Sequence, residues 1–350
     1  MADQIVTYSN IFAANYSVTG IRSENEDNTL VLMTGSCPLS GAQTQGMLYR
    51  GPMNPTDSSR CICLTPNVGK TVTSSLFYGP DTPLFNPSIQ AGNVRVVGSY
   101  KYANDPLGNV DHGVLYEGPP DGKGGYWKTI DMPDDVPNGV AVANTIPHST
   151  MGELIVGNYD LQGAEPGKFN AFIYNIHTGK YQKLKEMLGP DIELVTAYGI
   201  WQNVIGKPYY TIAGGLRHRI SGLNVNVGYL VDYDSATSMT SNLTTFSYDN
   251  EPSLITHFEG ISECGPNCYS LAATGDQDTA NRGAAFAVVE RLPDGSFGPA
   301  KWERVQATSS GITTGNTVLT NNLFGIYTTG NGIQSYVAGN LPLADVKAEG

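Results

Sequence analysis

Two residues on one predicted strand have the side chains that proton transfer requires. His257 and Glu259 are separated by a single residue, Phe258. Because alternate side chains of a β-strand lie on one face, both can point in the same direction. An imidazole that titrates near neutral pH beside a carboxylate can act as a general acid or base. His257 and Glu259 are therefore the candidate catalytic residues; the competing interpretation is a buried hydrogen-bonded pair that fixes the local backbone.

Aromatic residues provide the candidate ligand contacts. An aromatic wall with few polar groups suits a neutral, partly apolar or sugar-like ligand. His148 is expected in a lengthened loop, where function is often placed on a rigid scaffold. The predicted ligand-binding residues are Tyr16, His148, Tyr159, Tyr198, Trp201, Phe258 and Phe324.

Metal and nucleotide motifs are missing from the sequence. No His or Cys cluster has zinc-ligand spacing, so we predict no metal site of that kind and no cofactor. Val68-Gly69-Lys70-Thr71 lacks the first glycine of a phosphate-binding loop, because Leu64 stands at that position. Calcium is the one possible ion, since acidic doublets occur, although ordinary turn chemistry also explains them. These doublets are Asp134-Asp135, Asp232-Tyr233-Asp234 and Asp276-Gln277-Asp278.

The elements that must position these residues form an internal repeat. An apolar strand ending in glycine returns six times, and the glycines are 63, 59, 57, 61 and 64 residues apart, at Gly35, Gly98, Gly157, Gly214, Gly275 and Gly339. A Gly-Ile pair precedes several of them and should mark the first strand of each unit, as at Gly20, Gly199, Gly260 and Gly325. Four short buried strands per unit predict a blade of a β-propeller.

The repeat predicts one all-β domain over residues 1–350, a six-bladed propeller with four-stranded blades. The expected blades are roughly 16–70, 74–133, 138–186, 193–249, 251–307, and 310–342 with 3–11. The last unit lacks its outer strands, whereas residues 4–8 form an alternating strand that no later unit uses. We therefore expect the N-terminal strand to complete the last blade and close the ring. The structural alternative is a β-sandwich with coincidental spacing.

Charge and hydropathy exclude two classes of partner. The formal net charge of −12 opposes binding to nucleic acid or an anionic membrane, because both require basic surface. No segment approaches the ~20 apolar residues of a membrane span. We expect a small-molecule or sugar-like ligand, and a monomer or weak homodimer.

The cysteines and sequons bear on the compartment. Five cysteines leave at least one thiol unpaired within the chain, and Cys264 and Cys268 bracket a tight turn that a disulfide could close. Two independent thiols are the alternative. Acceptor sequons at Asn15 and Asn242 fit an exported protein. From these sequons we expect a secreted or periplasmic protein. The sequence does not begin with a signal peptide, so the leader of such a protein would be absent from this sequence.

Several segments resemble a known group of proteins. The block Asp111-His112-Gly113-Val114-Leu115-Tyr116, together with segments 129–133 and 154–159, resembles bacterial extracellular repeat proteins named for a His-Ala-Phe signature. Segments 197–201 and 256–261 look like an uncharacterised secreted branch of them. The resemblance covers most of residues 90–290 and implies a propeller and export. It implies no catalytic residue.

Two functions from different classes follow. The first is an enzyme with an acid-base site at one mouth of the propeller channel, acting on a neutral small molecule as a lyase, an isomerase or cyclase, or a hydrolase. In it His257 transfers the proton, Glu259 orients His257, and Tyr198, Trp201 and His148 position the ligand. The second is a non-catalytic propeller that binds a glycan or a protein. The fold alone does not choose between them.

Overall fold

The computed structural model confirms the predicted fold: an all-β, six-bladed propeller with four-stranded antiparallel blades. It describes residues 5–41, 43–134, 139–165, 168–219, 227–248, 251, 254–276, 282–309 and 311–343. The short apolar runs between turn residues form the strands, as their β-branched and aromatic content favours. Each blade is one sheet, and the sheets surround a central channel.

The strands follow chain order. The N-terminal strand is β1 (Thr7–Ile11). Each of the first five blades uses four consecutive strands, with the innermost first: β2 (Ser17–Ser23), β3 (Val31–Pro38), β4 (Thr44–Gly51) and β5 (Cys61–Leu64); β6 (Val72–Asp81), β7 (Val94–Tyr102), β8 (His112–Gly118) and β9 (Tyr126–Thr129); β10 (Val142–Met151), β11 (Leu154–Leu161), β12 (Asn170–Asn175) and β13 (Lys180–Lys183); β14 (Ile192–Gln202), β15 (Tyr209–His218), β16 (Val227–Asp234) and β17 (Met239–Phe246); β18 (Ile255–Gly265), β19 (Cys268–Asp276), β20 (Arg282–Glu290) and β21 (Lys301–Val305).

The sixth blade joins the two ends of the described chain. From the centre outwards it contains β22 (Thr317–Leu319), β23 (Asn322–Thr329), β24 (Gly332–Gly339) and β1. A five-residue helix, α1 (Leu184–Leu188), follows β13. Within the described ranges no helix has the length and apolar content needed to cross a membrane.

The ring is closed by the N-terminal strand, as predicted. β1 pairs antiparallel with β24, so that Tyr8 lies opposite Ala338 and Ile11 opposite Ser335. Ile11 is 1% exposed and packs in the core that also contains Phe324. This pairing covers the edge of β24, which would otherwise present unpaired backbone groups.

Alternation along the inner strands decides which residues face the channel. On β6 the side chains of Ser74, Leu76 and Tyr78 are half-buried, whereas Ser75 and Phe77 between them are buried. The same alternation occurs on β10 and β14. Beyond it, the last three residues of β6 and β10 are all buried. The channel therefore opens towards the starts of the inner strands.

The repeat glycines lie on the second strand of their blades, where the inner strand passes very close. A Cβ added to Gly98, Gly157 or Gly214 would collide with an inner-strand carbonyl oxygen. In the sixth blade the equivalent residue is Gly325 on β23, which faces the carbonyl of Thr314, and not Gly339 on β24. The Gly325-Ile326 pair therefore does not mark an inner strand. The Gly-Ile pattern had predicted that β23 is the inner strand of this blade and β24 its second strand. Both lie one place further out, and the outermost strand, β1, comes from the N-terminus.

Two disulfides link strands within a blade. Cys37 on β3 bonds Cys63 on β5, and Cys264 bonds Cys268 across the β18–β19 hairpin, which confirms the predicted small loop. Within the described residues Cys61 is the free cysteine. Disulfides are typical of proteins from oxidising compartments outside the cytoplasm.

The close approach at the repeat glycines gives a test of the blade architecture. We expect Gly325→Ala to destabilise the fold by about 2–4 kcal/mol, because its methyl group meets backbone and not a movable side chain. Gly330→Ala is the matched control, since nothing lies within 4 Å of an added Cβ there. Urea denaturation of both variants measures the difference, and equal stability of the two would contradict this packing.

Candidate active site in the central channel

The inner strands share a local irregularity that directs one side chain each into the channel. Register shifts interrupt the pairing between Val18 and Gly20, Phe77 and Pro80, Pro147 and Ser149, Ala197 and Gly199, and Phe258 and Gly260. These shifts are β-bulges, and each leaves a residue unpaired at the end of the alternating segment, where its side chain is the last of the half-buried, channel-facing series. In the sixth blade Asn316, directly before β22, takes the corresponding place.

The residues at these six positions line one cavity of about 200 Å³. We call them the bulge ring; its members are Thr19, Tyr78, His148, Tyr198, Glu259 and Asn316. One comes from each blade, and all six side chains are half-buried. A set of groups that are distant in sequence thus converges on a single point.

Small residues close the channel directly below the bulge ring. A Cβ on Gly79 would lie 2.6 Å from the Cα of Ser149, and one on Gly260 would lie 3.0 Å from the Cα of Thr317. Gly199 is similarly close to Ile261. Because these positions lack side chains, neighbouring inner strands approach each other and form a floor.

A buried arginine completes this floor. Arg22 reaches from β2 across the channel, and its guanidinium donates to the carbonyls of Ile200 at 3.0 Å and Ile261 at 3.4 Å. Burial lowers the pKa of Arg22 to about 10, and the charge of Asp81 partly opposes that shift. Burial likewise raises the pKa of Asp81 to about 6. The closed end of the channel thus holds a buried arginine and a buried carboxyl group whose charges attract each other.

Within the bulge ring, aromatic side chains form a continuous series. The ring centroid of His148 lies 4.5 Å from that of Tyr78 and 4.6 Å from that of Tyr198, which in turn lies 5.6 Å from His257. Burial lowers the pKa of His148 to about 4, and the nearby charge of Glu259 only partly compensates. His148 is therefore a neutral imidazole at pH 7.

The phenols are also held in their neutral form. Burial raises the pKa values of Tyr78 and Tyr198, and negative charges, including that of Glu259, add to the shift. Both side chains thus keep their protons at neutral pH, and each presents a hydroxyl that can donate and accept hydrogen bonds.

The His257–Glu259 pair forms as the alternation predicts. The Nε2 atom of His257 lies 2.6 Å from Oε1 of Glu259, and both side chains are 23% exposed. Glu259 lines the cavity, whereas His257 lies two residues nearer the start of β18. No lysine or arginine lines this cavity in the described residues. Glu259 is its carboxylate.

Trp201 and Phe258 lie away from the cavity. Trp201 is 4% exposed beyond the floor, where it packs on Phe85 and under the Arg22 guanidinium. Phe258 is fully buried between blades and stacks on Trp302 at 5.8 Å. Phe258 faces away from the channel because it occupies the other phase of the alternation, whereas Trp201 lies beyond the bulge, on the far side of the floor.

Phe324, Tyr16 and Tyr159 also lie elsewhere. Phe324 is fully buried on β23, which is the second strand of the sixth blade and not its inner strand. Tyr16 packs against the core beside β1 and β2. Tyr159, at the end of β11, lines a separate groove between the third and fourth blades. Of the predicted site residues, the structure brings together Glu259, His257, Tyr198 and His148.

His148 reaches the cavity in a different way from the one predicted. It lies within β10, at the bulge, and not in a loop, because the hairpin begins only at Gly152. Sequence reasoning missed Thr19, Tyr78 and Asn316. A signal did exist for Thr19 and Tyr78, since each directly precedes a glycine, as Tyr198 and Glu259 do.

The remaining candidates for metal binding or acid-base work have other partners. Within the described residues no three His, Cys, Asp or Glu side chains form a group that could hold a metal ion. Asp232 is engaged by Arg291 at 2.7 Å, and Asp134 accepts from the backbone of Val142. The side chains of Asp135, Asp276 and Asp278 lie outside the described residues. His112 forms hydrogen bonds through its two ring nitrogens with Asp131 and Asp105.

Comparisons with known proteins identify the fold. No family model and no curated protein matches the sequence. A mutant of Trypanosoma rangeli sialidase displaying trans-sialidase activity superposes with a TM-score of 0.52 at 8% identity, over 97% of this chain and 59% of the sialidase. An α-L-arabinanase from Penicillium chrysogenum gives 0.48 at 13% identity, over 95% and 99%. A luciferin-regenerating enzyme gives 0.46 at 9% identity, over 96% and 95%.

The burial of His148 predicts how the protein responds to acid. An unfolded histidine titrates near pH 6.5, whereas the pKa of His148 is lowered to about 4. The unfolded chain therefore binds the extra proton first, and stability is lost as pH falls from 6.5 towards 4. We expect His148→Gln to reduce this loss by up to about 3 kcal/mol relative to the unsubstituted protein.

Urea denaturation at pH 7 and pH 4.5 tests this expectation. His177→Gln is the control, because His177 is 56% exposed on the surface. The same pH dependence in His148→Gln as in the unsubstituted protein would show that His148 is not a buried neutral imidazole.

Proposed function

We propose that the protein is an enzyme that transforms a small, neutral, hydroxyl-bearing molecule by acid-base catalysis in the bulge ring. The observation that carries this proposal is the convergence of six inner-strand positions on one cavity, where Glu259 is held 2.6 Å from His257. Titratable groups gathered in a concave site are the usual mark of catalysis.

The geometry favours Glu259 as the group that exchanges a proton with the substrate. The carboxylate of Glu259 lines the cavity. His257 lies beside it, two residues nearer the start of β18 and the mouth of the channel. We therefore reverse the roles expected from sequence: His257 is the positioning residue that orients the carboxylate through the hydrogen bond. Such a carboxylate can accept a proton from a carbon or a hydroxyl of the substrate.

The other groups suit a neutral ligand rich in hydroxyls. Tyr78 and Tyr198 present protonated phenols, and His148 presents a neutral imidazole. The side chains of Thr19 and Asn316 already donate to the carbonyls of Phe77 and Val18, so they shape the cavity instead. A lining without a lysine or arginine offers no partner to an anion.

Two arguments favour a lyase or isomerase over a glycosidase of the usual kind. Most glycosidases need two carboxylates across the scissile bond, whereas the bulge ring contains one, Glu259. A tyrosine nucleophile of the sialidase type needs an accessible phenolate, whereas burial and Glu259 raise the pKa of Tyr198. A single base with neighbouring phenols suits proton abstraction and hydroxyl recognition.

The two disulfides support a site of action outside the cytoplasm.

Activity measurements on three variants test the proposal. A panel of aldoses, sugar lactones and small polyols is followed by NMR for substrate consumption. On the substrate found, we expect Glu259→Gln to lower turnover about 10²- to 10⁴-fold, because it removes the proton acceptor and keeps the shape. His257→Gln should shift the pH profile of turnover, as expected of a positioning residue. The control Glu26→Gln, on an exposed residue, should match the unsubstituted protein.

Two outcomes contradict the proposal. Full turnover in Glu259→Gln would remove Glu259 from catalysis. Binding of a sugar without turnover in any variant would instead identify a non-catalytic glycan-binding propeller.

A further inference from the structure

A second, larger concavity lies on the same face of the propeller as the channel mouth. It is a groove of about 1220 Å³ between the third and fourth blades. Leu161 at the end of β11 and Ile192 at the start of β14 both line it, and inner strands start on the mouth side. We call it the blade 3–4 groove. It exceeds the volume of an ordinary small-molecule pocket and therefore suits an elongated ligand.

The groove is basic although the protein is acidic. Four cations line it, Lys168, Lys183, Lys185 and Arg219, against two carboxylates, Glu186 and Glu193. The chain as a whole has 20 Lys and Arg against 32 Asp and Glu. The local excess of positive charge is thus the reverse of the overall balance.

Ion pairs inside and beside the groove account for only some of these cations. Glu186 lies 3.6 Å from Lys183, and Glu193 lies 3.0 Å from Arg217. Lys168 pairs with Glu165 at 2.8 Å. Among the described residues this leaves Lys185 and Arg219 without an ion-pair partner. The adjoining segments 166–167 and 220–226 contain no acidic residue that could supply one.

These two cations repel one another. Burial and the charge of Arg219 lower the pKa of Lys185, and Glu193 compensates only in part. A ligand anion between them would relieve this repulsion and form charge-assisted hydrogen bonds to both.

The groove and the bulge-ring cavity are close enough for one ligand. Leu194 lines the groove and Tyr198 lines the cavity, four residues further along β14. At about 3.3 Å per residue, they are separated by about 13 Å. An oligomer of a few sugar units can span that distance, with one end in each site.

We infer that the blade 3–4 groove binds the acidic part of a carboxylated oligosaccharide whose neutral, hydroxyl-rich terminal unit enters the bulge ring. This inference rests on the function proposed above, because the hydroxyl-recognising cavity favours a sugar chain over an acidic peptide. The small neutral molecule proposed there is then the terminal unit of a longer chain. Lys185 and Arg219 bind the carboxylates, and Glu259 remains the group that acts on the terminal unit.

Binding measurements test this assignment. The probes are a short oligogalacturonate, its methyl ester, and polyglutamate of similar length, titrated calorimetrically at low salt. We expect the acid form to bind the unsubstituted protein about tenfold more tightly than the ester. The double variant Lys185→Ala/Arg219→Ala should lose that preference. Lys123→Ala/Arg304→Ala removes the same charges from exposed positions outside the groove and should keep it.

Each of the other possible outcomes contradicts one part of this inference. Equal binding of the acid and the ester, or no effect of the Lys185/Arg219 variant, contradicts an anion site in the groove. Tighter binding of polyglutamate than of oligogalacturonate contradicts the sugar and indicates an acidic peptide. Unchanged turnover in Glu259→Gln, together with a lost acid preference in Lys185→Ala/Arg219→Ala, contradicts the proposed enzyme while the groove keeps its ligand.

Discussion

The whole site depends on how closely neighbouring inner strands approach below the bulge ring. At Gly79, Gly199 and Gly260 a side chain would collide with the adjacent strand, so the absence of one permits contact between the backbones. The same contact closes one end of the channel and fixes the level at which the bulges occur. Larger residues there would spread the blades and separate the groups that now converge. The arrangement of the cavity is thus a consequence of backbone packing at glycines that directly follow Tyr78, Tyr198 and Glu259 in the chain.

Burial then decides which members of the ring carry charge. His148 and the two phenols lie deep in the channel, where desolvation favours the neutral form of each. Arg22 retains its charge in a fully buried place because carbonyl groups and Asp81 surround it. The floor therefore separates the buried Arg22 and Asp81 from the His257–Glu259 pair. Glu259 and His257 lie on the open side, where a ligand can reach them.

Much of the architecture was predictable because a propeller repeats its physical requirements. Strand spacing and the unmatched N-terminal strand led to six blades and to closure by β1. The alternation of strand residues placed His257 and Glu259 on one face. The same rule argues against Phe258, which stands between them and must point the other way. Applied strictly, alternation would have excluded it.

The bulge positions and the strand order of the sixth blade could not be predicted from local sequence. A bulge is set by the pairing of two strands, so nothing in the sequence around His148 alone shows that the pairing with β11 is interrupted there. Gly325 and Gly339 are both plausible repeat glycines until the outer strand of the sixth blade is seen to come from the other end of the chain. Thr19, Tyr78 and Asn316 share position and not residue type. Composition-based searches for catalytic groups therefore do not find them.

That last property has an evolutionary consequence. Each blade presents one side chain at a position that the backbone defines, and no two of these residues are neighbours in sequence. A substitution at one position changes one member of the ring, while the backbone that defines the position belongs to a separate blade. Thr19 and Asn316 can therefore vary without a change in another ring residue, whereas His148 packs on Tyr78 and Tyr198, so that these three residues are expected to vary together.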